Sequence, residues 1–177
     1  QLFGADLHAH SLGEAMRLLE SEDLDGHLIT SDFFAVASPN EEGPLPLMDA
    51  VVGNPPFVRY QEHVGESRRL SVAAALRQGV RLNGLASSWA ATLVHAASFL
   101  KPDGRLAMVL PAELLTVSYA EPIRTWLRRR FDRVHLVLVE RLQFEDAQEK
   151  VVLLLAEGSG GFDAFSLYGV DTAEDLA

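Results

Sequence analysis

Asn54-Pro55-Pro56-Phe57 is the stretch of this 177-residue chain whose residue types and order most directly imply chemistry. Two consecutive prolines fix two φ angles and remove two N–H donors, so the local carbonyls are unpaired and rigidly aimed. An amide precedes the pair and an aromatic ring follows it. Asp49 to Gly53, just before, is a short apolar run ending in Gly, which reads as a buried strand that stops abruptly. Together these make a small acceptor site with a stacking surface at a strand's C-terminal end, where open α/β sheets bind ligands. An ordinary Pro-Pro turn after a strand is the plain alternative.

The tetrapeptide resembles the Asn-Pro-Pro-Phe/Tyr motif of S-adenosylmethionine-dependent amino-methyltransferases, especially the DNA adenine-N6 methyltransferases of restriction–modification systems. The resemblance implies that the Asn54 side chain and the Pro55 carbonyl accept hydrogen bonds from the target amino group, with Pro56 holding the turn rigid. Acceptors suit this chemistry. The lone pair of an exocyclic adenine amine is delocalised into the ring, and two acceptors on its hydrogens favour a pyramidal nitrogen aimed at the methyl donor. Phe57 would stack on a base flipped out of the duplex. Such stacking is worth roughly 1–3 kcal/mol, comparable with the cost of unstacking.

These residues need a sheet to position them. Leu2 to Asp6 reads as a short strand, and Ser11-x-x-Glu14 has capping-box spacing for a helix carrying Leu12, Met16 and Leu19. His27 to Thr30 reads as a second strand, Ser38 to Pro46 as a loop, and Asp49 to Gly53 as a third strand. Strands alternating with helices indicate a parallel sheet. In the resembled family the first of these strands ends in an acid that holds the cofactor ribose hydroxyls; Asp6 stands there. The next ends in Asp-Phe, here Asp32-Phe33, with the Asp accepting from the cofactor adenine and the Phe packing on its ring. An acid after a strand also reads as a helix cap or a solvated turn. His8 and His10 read as a surface turn, and no metal is assigned.

Residues 58–86 are polar, carry Gly65, Gly79 and Gly84, and are expected to be irregular and disordered without DNA. Within them Arg59, Arg68, Arg69, Arg77 and Arg81 face only Glu62 and Glu66, a local charge of +3 (5 − 2) that suits either a solvated loop or a DNA-facing one. Ser88 is placed to cap a helix running to about Leu100, with Trp89, Leu93, Ala97 and Leu100 on one stripe; Trp89 suits core packing, with an approach to the cofactor as the alternative. Lys101-Pro102-Asp103-Gly104 stops the helix, and Arg105 to Leu110 is a buried strand ending at Pro111. Pro122 suits the first turn of a helix with Ile123, Trp126, Leu127 and Phe131 inside and Arg124, Arg128, Arg129 and Arg130 outside. Arg133 to Val139 reads as the next strand and Val151 to Ala156 as a strong β run, and the resemblance implies that the two form an antiparallel hairpin. In the resembled family the loop between them carries an aromatic for the other face of the flipped base, and Phe144 is in the matching place. Phe162 to Tyr168 suggests one more strand.

The length suits one domain or most of one. With 48% apolar residues the chain can build a sizeable core, and the absence of cysteine excludes disulfides and thiolate-bound metal. A net charge of −10 argues against a surface that binds nucleic acid indiscriminately but allows a local basic face. No apolar run approaches the roughly 20 residues of a membrane helix.

The expected fold is therefore α/β: a Rossmann-like class I methyltransferase sheet, mostly parallel, with a C-terminal antiparallel hairpin and incomplete at the N-terminus. Residues 1–57 are expected to form the cofactor and Asn-Pro-Pro-Phe half, 58–86 an irregular loop, and 87–168 the C-terminal half. The family's glycine-rich loop would precede residue 1 and its target-recognition domain would follow residue 177, so a fragment is expected, with a second segment or subunit completing the sheet. The implied cofactor is S-adenosylmethionine, the implied partner double-stranded DNA with a flipped adenine, and the implied location the cytoplasm. Glutamine-N5 or RNA amino-group methylation remains open, because the acceptor logic is identical. So does a non-catalytic domain that binds DNA or a partner.

Overall fold

The computed structural model describes residues 1–139 and 150–172. The chain divides into two compact units, Gln1–Pro46 and Leu47–Ala177.

In the first unit β1 (Leu2–Asp6) pairs in parallel with β2 (Gly26–Thr30), and helix α1 (Ala9–Ser21) connects them. The helix starts two residues before the Ser11 capping box. Asp6 Oδ1 accepts from the His8 N–H at 2.7 Å, which closes the turn out of β1 early and leaves Ser11 inside the helix. None of residues 1–30 is buried, although Leu12, Met16 and Leu19 form the expected stripe. The loop after β2 contains two short 3-10 turns, Phe33–Ala35 and Pro39–Glu41. A capping box of Ser38 and Glu41 closes the second.

The second unit is built on a five-stranded sheet in the order β3-β4-β6-β5-β7. Its strands are β3 (Met48–Gly53), β4 (Leu100–Pro111), β5 (Arg133–Val139), β6 (Val151–Glu157) and β7 (Ser166–Val170). β3 runs parallel to β4, and β7 to β5; β6 is antiparallel to both β4 and β5. This is the expected parallel sheet with a C-terminal hairpin. β3, however, is an edge strand rather than a buried one, and Val52 is 78% exposed. Lys101 to Gly104 is absorbed as a bulge in β4: Met48 pairs with Leu100, but Ala50 pairs with Arg105. The last strand begins at Ser166 rather than Phe162. Phe162 instead donates its N–H to the Arg128 carbonyl and packs edge-on to Phe165 at 4.9 Å, with the Arg128 guanidinium over that second ring.

Helix α3 (Ser88–Ala97) is buried nearly all round, as a core helix must be when its sequence is apolar on every face. It contacts β4 on one side and α2 (Gly65–Arg77) on the other. Helix α2 corrects the expectation that 58–86 is irregular and disordered. Its buried stripe is Ser71, Ala74 and Ala75, small side chains that allow close approach but give little hydrophobic signal in sequence. After β4 come α4 (Glu113–Thr116) and α5 (Glu121–Arg130), whose Ile123 and Leu127 are fully buried. Pro122 sits in the first turn of α5, as expected. The basic side of α5 is largely engaged. Arg124 donates to the Leu114 and Val117 carbonyls at 2.9 and 3.1 Å, satisfying acceptors left over at the end of α4. It also pairs with Glu121.

Candidate active site

Strand β3 delivers Asn54 to Phe57 at its C-terminal end. Gly53, just before them, packs under the flexible end of Met108: a Cβ there would lie 2.9 Å from Met108 Sδ, and that side chain would have to shift. Asn54 is exposed, Pro55 buried, Pro56 exposed and Phe57 half-buried. The Asn54 amide and the Pro55 carbonyl make no hydrogen bond among the described residues. The Pro56 carbonyl does: it accepts from Ser88 Oγ at 2.5 Å, at the start of α3. The Val58 N–H donates to the same hydroxyl at 3.0 Å, and the Ser88 N–H donates to the Val58 carbonyl at 3.0 Å. Ser88 is thus not the helix cap expected of it. Ser87 holds the N-cap position, and the Ser88 hydroxyl turns to the proline loop.

The first turn of α3 is anchored again on its other side. Trp89 is fully buried, and its Nε1–H donates to the Tyr119 hydroxyl at 3.4 Å. Tyr119 O–H in turn donates to Glu113, with Ser87 Oγ at 3.5 Å. Burial, and then the Glu113 carboxylate, push the Tyr119 phenol above its ordinary value. The neutral phenol is therefore the form that stabilises the fold. That contribution is fully present below the unfolded phenol's value near 10 and is lost as pH rises through the folded one. Tyr119→Phe should lower stability by about 1–2 kcal/mol at neutral pH. Thermal unfolding at about pH 8 and pH 11 should show the gap between wild type and variant narrowing at the higher pH.

In the first unit Asp6 and Asp32-Phe33 come to one end of the β1–β2 pair, since Asp6 lies opposite Thr30 and its carbonyl accepts from the Ser31 N–H at 3.0 Å. Asp6 holds the turn into α1, and Asp32 caps the 3-10 turn that follows β2. Asp6 Oδ1 holds the His8 N–H, and Asp32 Oδ1 holds the Phe34 N–H at 2.9 Å. Among the described residues the second oxygen of each carboxylate makes no hydrogen bond. Phe33 is half-buried, 6.2 Å from the buried Phe34 ring. Phe144 lies outside the described residues.

The arginines after the proline loop are partly committed within the fold. Arg68 donates to the Gly84 carbonyl at 2.8 Å, and Arg69 pairs with Glu66. Sequence reasoning missed Ser88 as a site residue. Its signal was weak, a serine opening a helix thirty residues from the loop it holds. Among the described residues no helix is long and apolar enough to cross a membrane, and no cluster of His, Asp and Glu is placed to hold a metal.

The family described as Eco57I restriction-modification methylase matches residues 40–148, more than half of the chain. Type II methyltransferase M.AccI of Acinetobacter calcoaceticus is 21% identical over 131 residues, which cover 73% of this chain and 24% of that protein. Among solved structures, one from Listeria monocytogenes assigned as a class I S-adenosylmethionine-dependent methyltransferase superposes with a TM-score of 0.74 at 13% identity, covering 96% of this chain and 49% of that one. The methyltransferase subunit of a type I restriction-modification system from Streptococcus thermophilus gives a TM-score of 0.67 at 22% identity, covering 88% and 33%. The chain spans less than half the length of each of these relatives. The mixed sheet, with its parallel strands and antiparallel hairpin, is the class I methyltransferase fold.

Proposed function

The chain belongs to the Eco57I restriction-modification methylase family, and from that premise we propose that it carries the catalytic half of an enzyme that methylates the N6 amino group of adenine in DNA. The observation that supports this reading most is the state of the proline loop. Among the described residues Asn54 and the Pro55 carbonyl make no hydrogen bond at the end of β3, while the neighbouring Pro56 carbonyl is tied back to Ser88.

In this reading Asn54 Oδ1 and the Pro55 carbonyl each accept one N–H of the target amine. The nitrogen lone pair then points out of the base plane, and the amine is held as a near-attack nucleophile. Phe57 stacks on the flipped base, and Phe144 is proposed for its other face. S-adenosylmethionine, when bound, supplies an electrophilic methyl on a sulfonium. The first unit fits that cofactor by its donor set. The Asp6 carboxylate suits a ribose diol, the Asp32 carboxylate suits an amino group, and Phe33 is a half-buried aromatic beside it.

A further polypeptide segment is proposed to complete the sheet. β3 is an apolar strand at a sheet edge, and its exposed Ala50 and Val52 line an open groove of about 410 Å³ with Ala107, His135 and Leu155. Unpaired apolar edges are templates for another strand.

The test is methyl incorporation by the full-length protein, supplied in turn with unmodified DNA, RNA and protein. N6-methyladenine in DNA is the expected product, and Asp6→Ala should weaken S-adenosylmethionine binding by about tenfold or more. Incorporation into RNA or protein alone would replace DNA as the substrate. No incorporation and no cofactor binding would leave a non-catalytic binding domain as the reading.

A further inference from the structure

Pro55 and Pro56 offer two adjacent carbonyls, and a target amine needs one of them beside Asn54. Nothing in the tetrapeptide itself chooses between them. It has no N–H at either proline, so any hydrogen bond that fixes the loop must come from elsewhere in the fold. Ser88 supplies it. The Ser88 hydroxyl donates to the Pro56 carbonyl and accepts the Val58 N–H, and the Ser88 backbone N–H holds the Val58 carbonyl. Three hydrogen bonds from one residue therefore bracket Phe57 on both sides. Ser88 is only 4% exposed, so water competes little for these partners.

The clamp itself is fixed. The Ser88 carbonyl accepts from Thr92 Oγ1 at 3.1 Å, one turn along α3. The adjoining Trp89 is locked in the core and tied through Tyr119 to Glu113 at the start of α4. The loop is thus braced against the start of α4 through the first turn of α3.

Resting on the methyltransferase reading above, we propose that Ser88 is a positioning residue which selects the acceptor. By consuming the Pro56 carbonyl it leaves that of Pro55 as the prolyl acceptor for the amine, and by pinning Val58 it sets the plane in which Phe57 meets the base. Ser88 acts through the loop and touches neither substrate nor cofactor.

The test compares Ser88→Ala, Ser88→Thr and Asn54→Ala in the full-length protein. Single-turnover methyl transfer, S-adenosylmethionine affinity and amide hydrogen exchange at Val58 are read for each. Ser88→Ala should slow transfer about ten- to a hundredfold with cofactor affinity within about twofold of wild type, because a displacement near 1 Å is costly at a reacting centre. It should also speed exchange at Val58. Ser88→Thr keeps the hydroxyl and should restore most of both. A Ser88→Ala protein that transfers methyl at the wild-type rate overturns the proposal while Asn54→Ala remains inactive. So does a loss of rate matched by an equal loss of cofactor affinity and not rescued by threonine. If Asn54→Ala keeps full activity, or wild type transfers no methyl, the methyltransferase reading of the loop fails instead. The clamp is then decided by Val58 exchange alone: protection equal in wild type and Ser88→Ala overturns it.

Discussion

Asn54→Ala in the full-length protein is expected to reduce methyl transfer by about a hundredfold or more, with S-adenosylmethionine affinity nearly unchanged. The size follows from what the amide does in the proposed reaction. A preorganised hydrogen-bonding group aimed at developing charge is worth about 10²–10³ in rate when removed. Asn54 is exposed at the end of β3 and makes no hydrogen bond among the described residues, so its removal leaves no buried partner unsatisfied. Its loss should therefore be felt in the chemical step and hardly in stability. Asn54→Asp is a useful companion. It keeps an acceptor of similar shape, and should retain more activity than alanine if accepting from the amine is the role. Rapid-quench transfer rates alongside calorimetric cofactor binding would decide this. Equal transfer by wild type and Asn54→Ala would end the proposed mechanism.

Trp89→Ala should have the largest effect on stability, about 3–5 kcal/mol. Trp89 is fully buried in a helix that is itself buried nearly all round, and alanine would leave a cavity in that packed core. Against a total stability of about 5–15 kcal/mol, that is enough to lower the unfolding midpoint by about 10 °C in a domain of this size. Trp89→Phe keeps most of the volume and loses the indole N–H to Tyr119. It should cost about 1–2 kcal/mol. The pair also separates the two sequence readings of this residue. A core tryptophan moves the unfolding midpoint of both variants by different amounts. A cofactor-contacting one would change S-adenosylmethionine affinity in Trp89→Phe at constant midpoint. Differential scanning calorimetry with cofactor titration measures both.

Much of the fold was legible in the chain, because its signals are local. β1, β2 and the core of β4 are short apolar runs bounded by Gly, Pro and acids. The strands β5 and β6 follow from two strongly β-prone runs, their antiparallel pairing from the family resemblance, and the start of α5 from Pro122. The chemical content of Asn54 to Phe57 was likewise readable, since proline geometry and amide chemistry travel with the residues. Where sequence reasoning erred, a competing contact had won. The box at Ser11 lost the start of α1 to Asp6, because an Asp two residues from a free N–H closes the turn sooner. α2 went unread because Ser71, Ala74 and Ala75 bury little area and so leave no hydrophobic stripe.

By itself, then, the sequence determined β1, β2, the core of β4 and the start of α5, and which residues could accept a hydrogen bond, stack on a ring or bind a diol. Those properties depend on neighbours a few positions away. Tertiary structure alone decided that β3 lies at a sheet edge with Val52 in the open, that Arg124 is spent on the carbonyls of α4, and that Ser88 claims the Pro56 carbonyl. Each of those depends on a partner brought close by folding. The hydroxyl of Ser88 is thirty-two residues from the carbonyl it holds, and local propensity carries no information about which of two proline carbonyls it will reach.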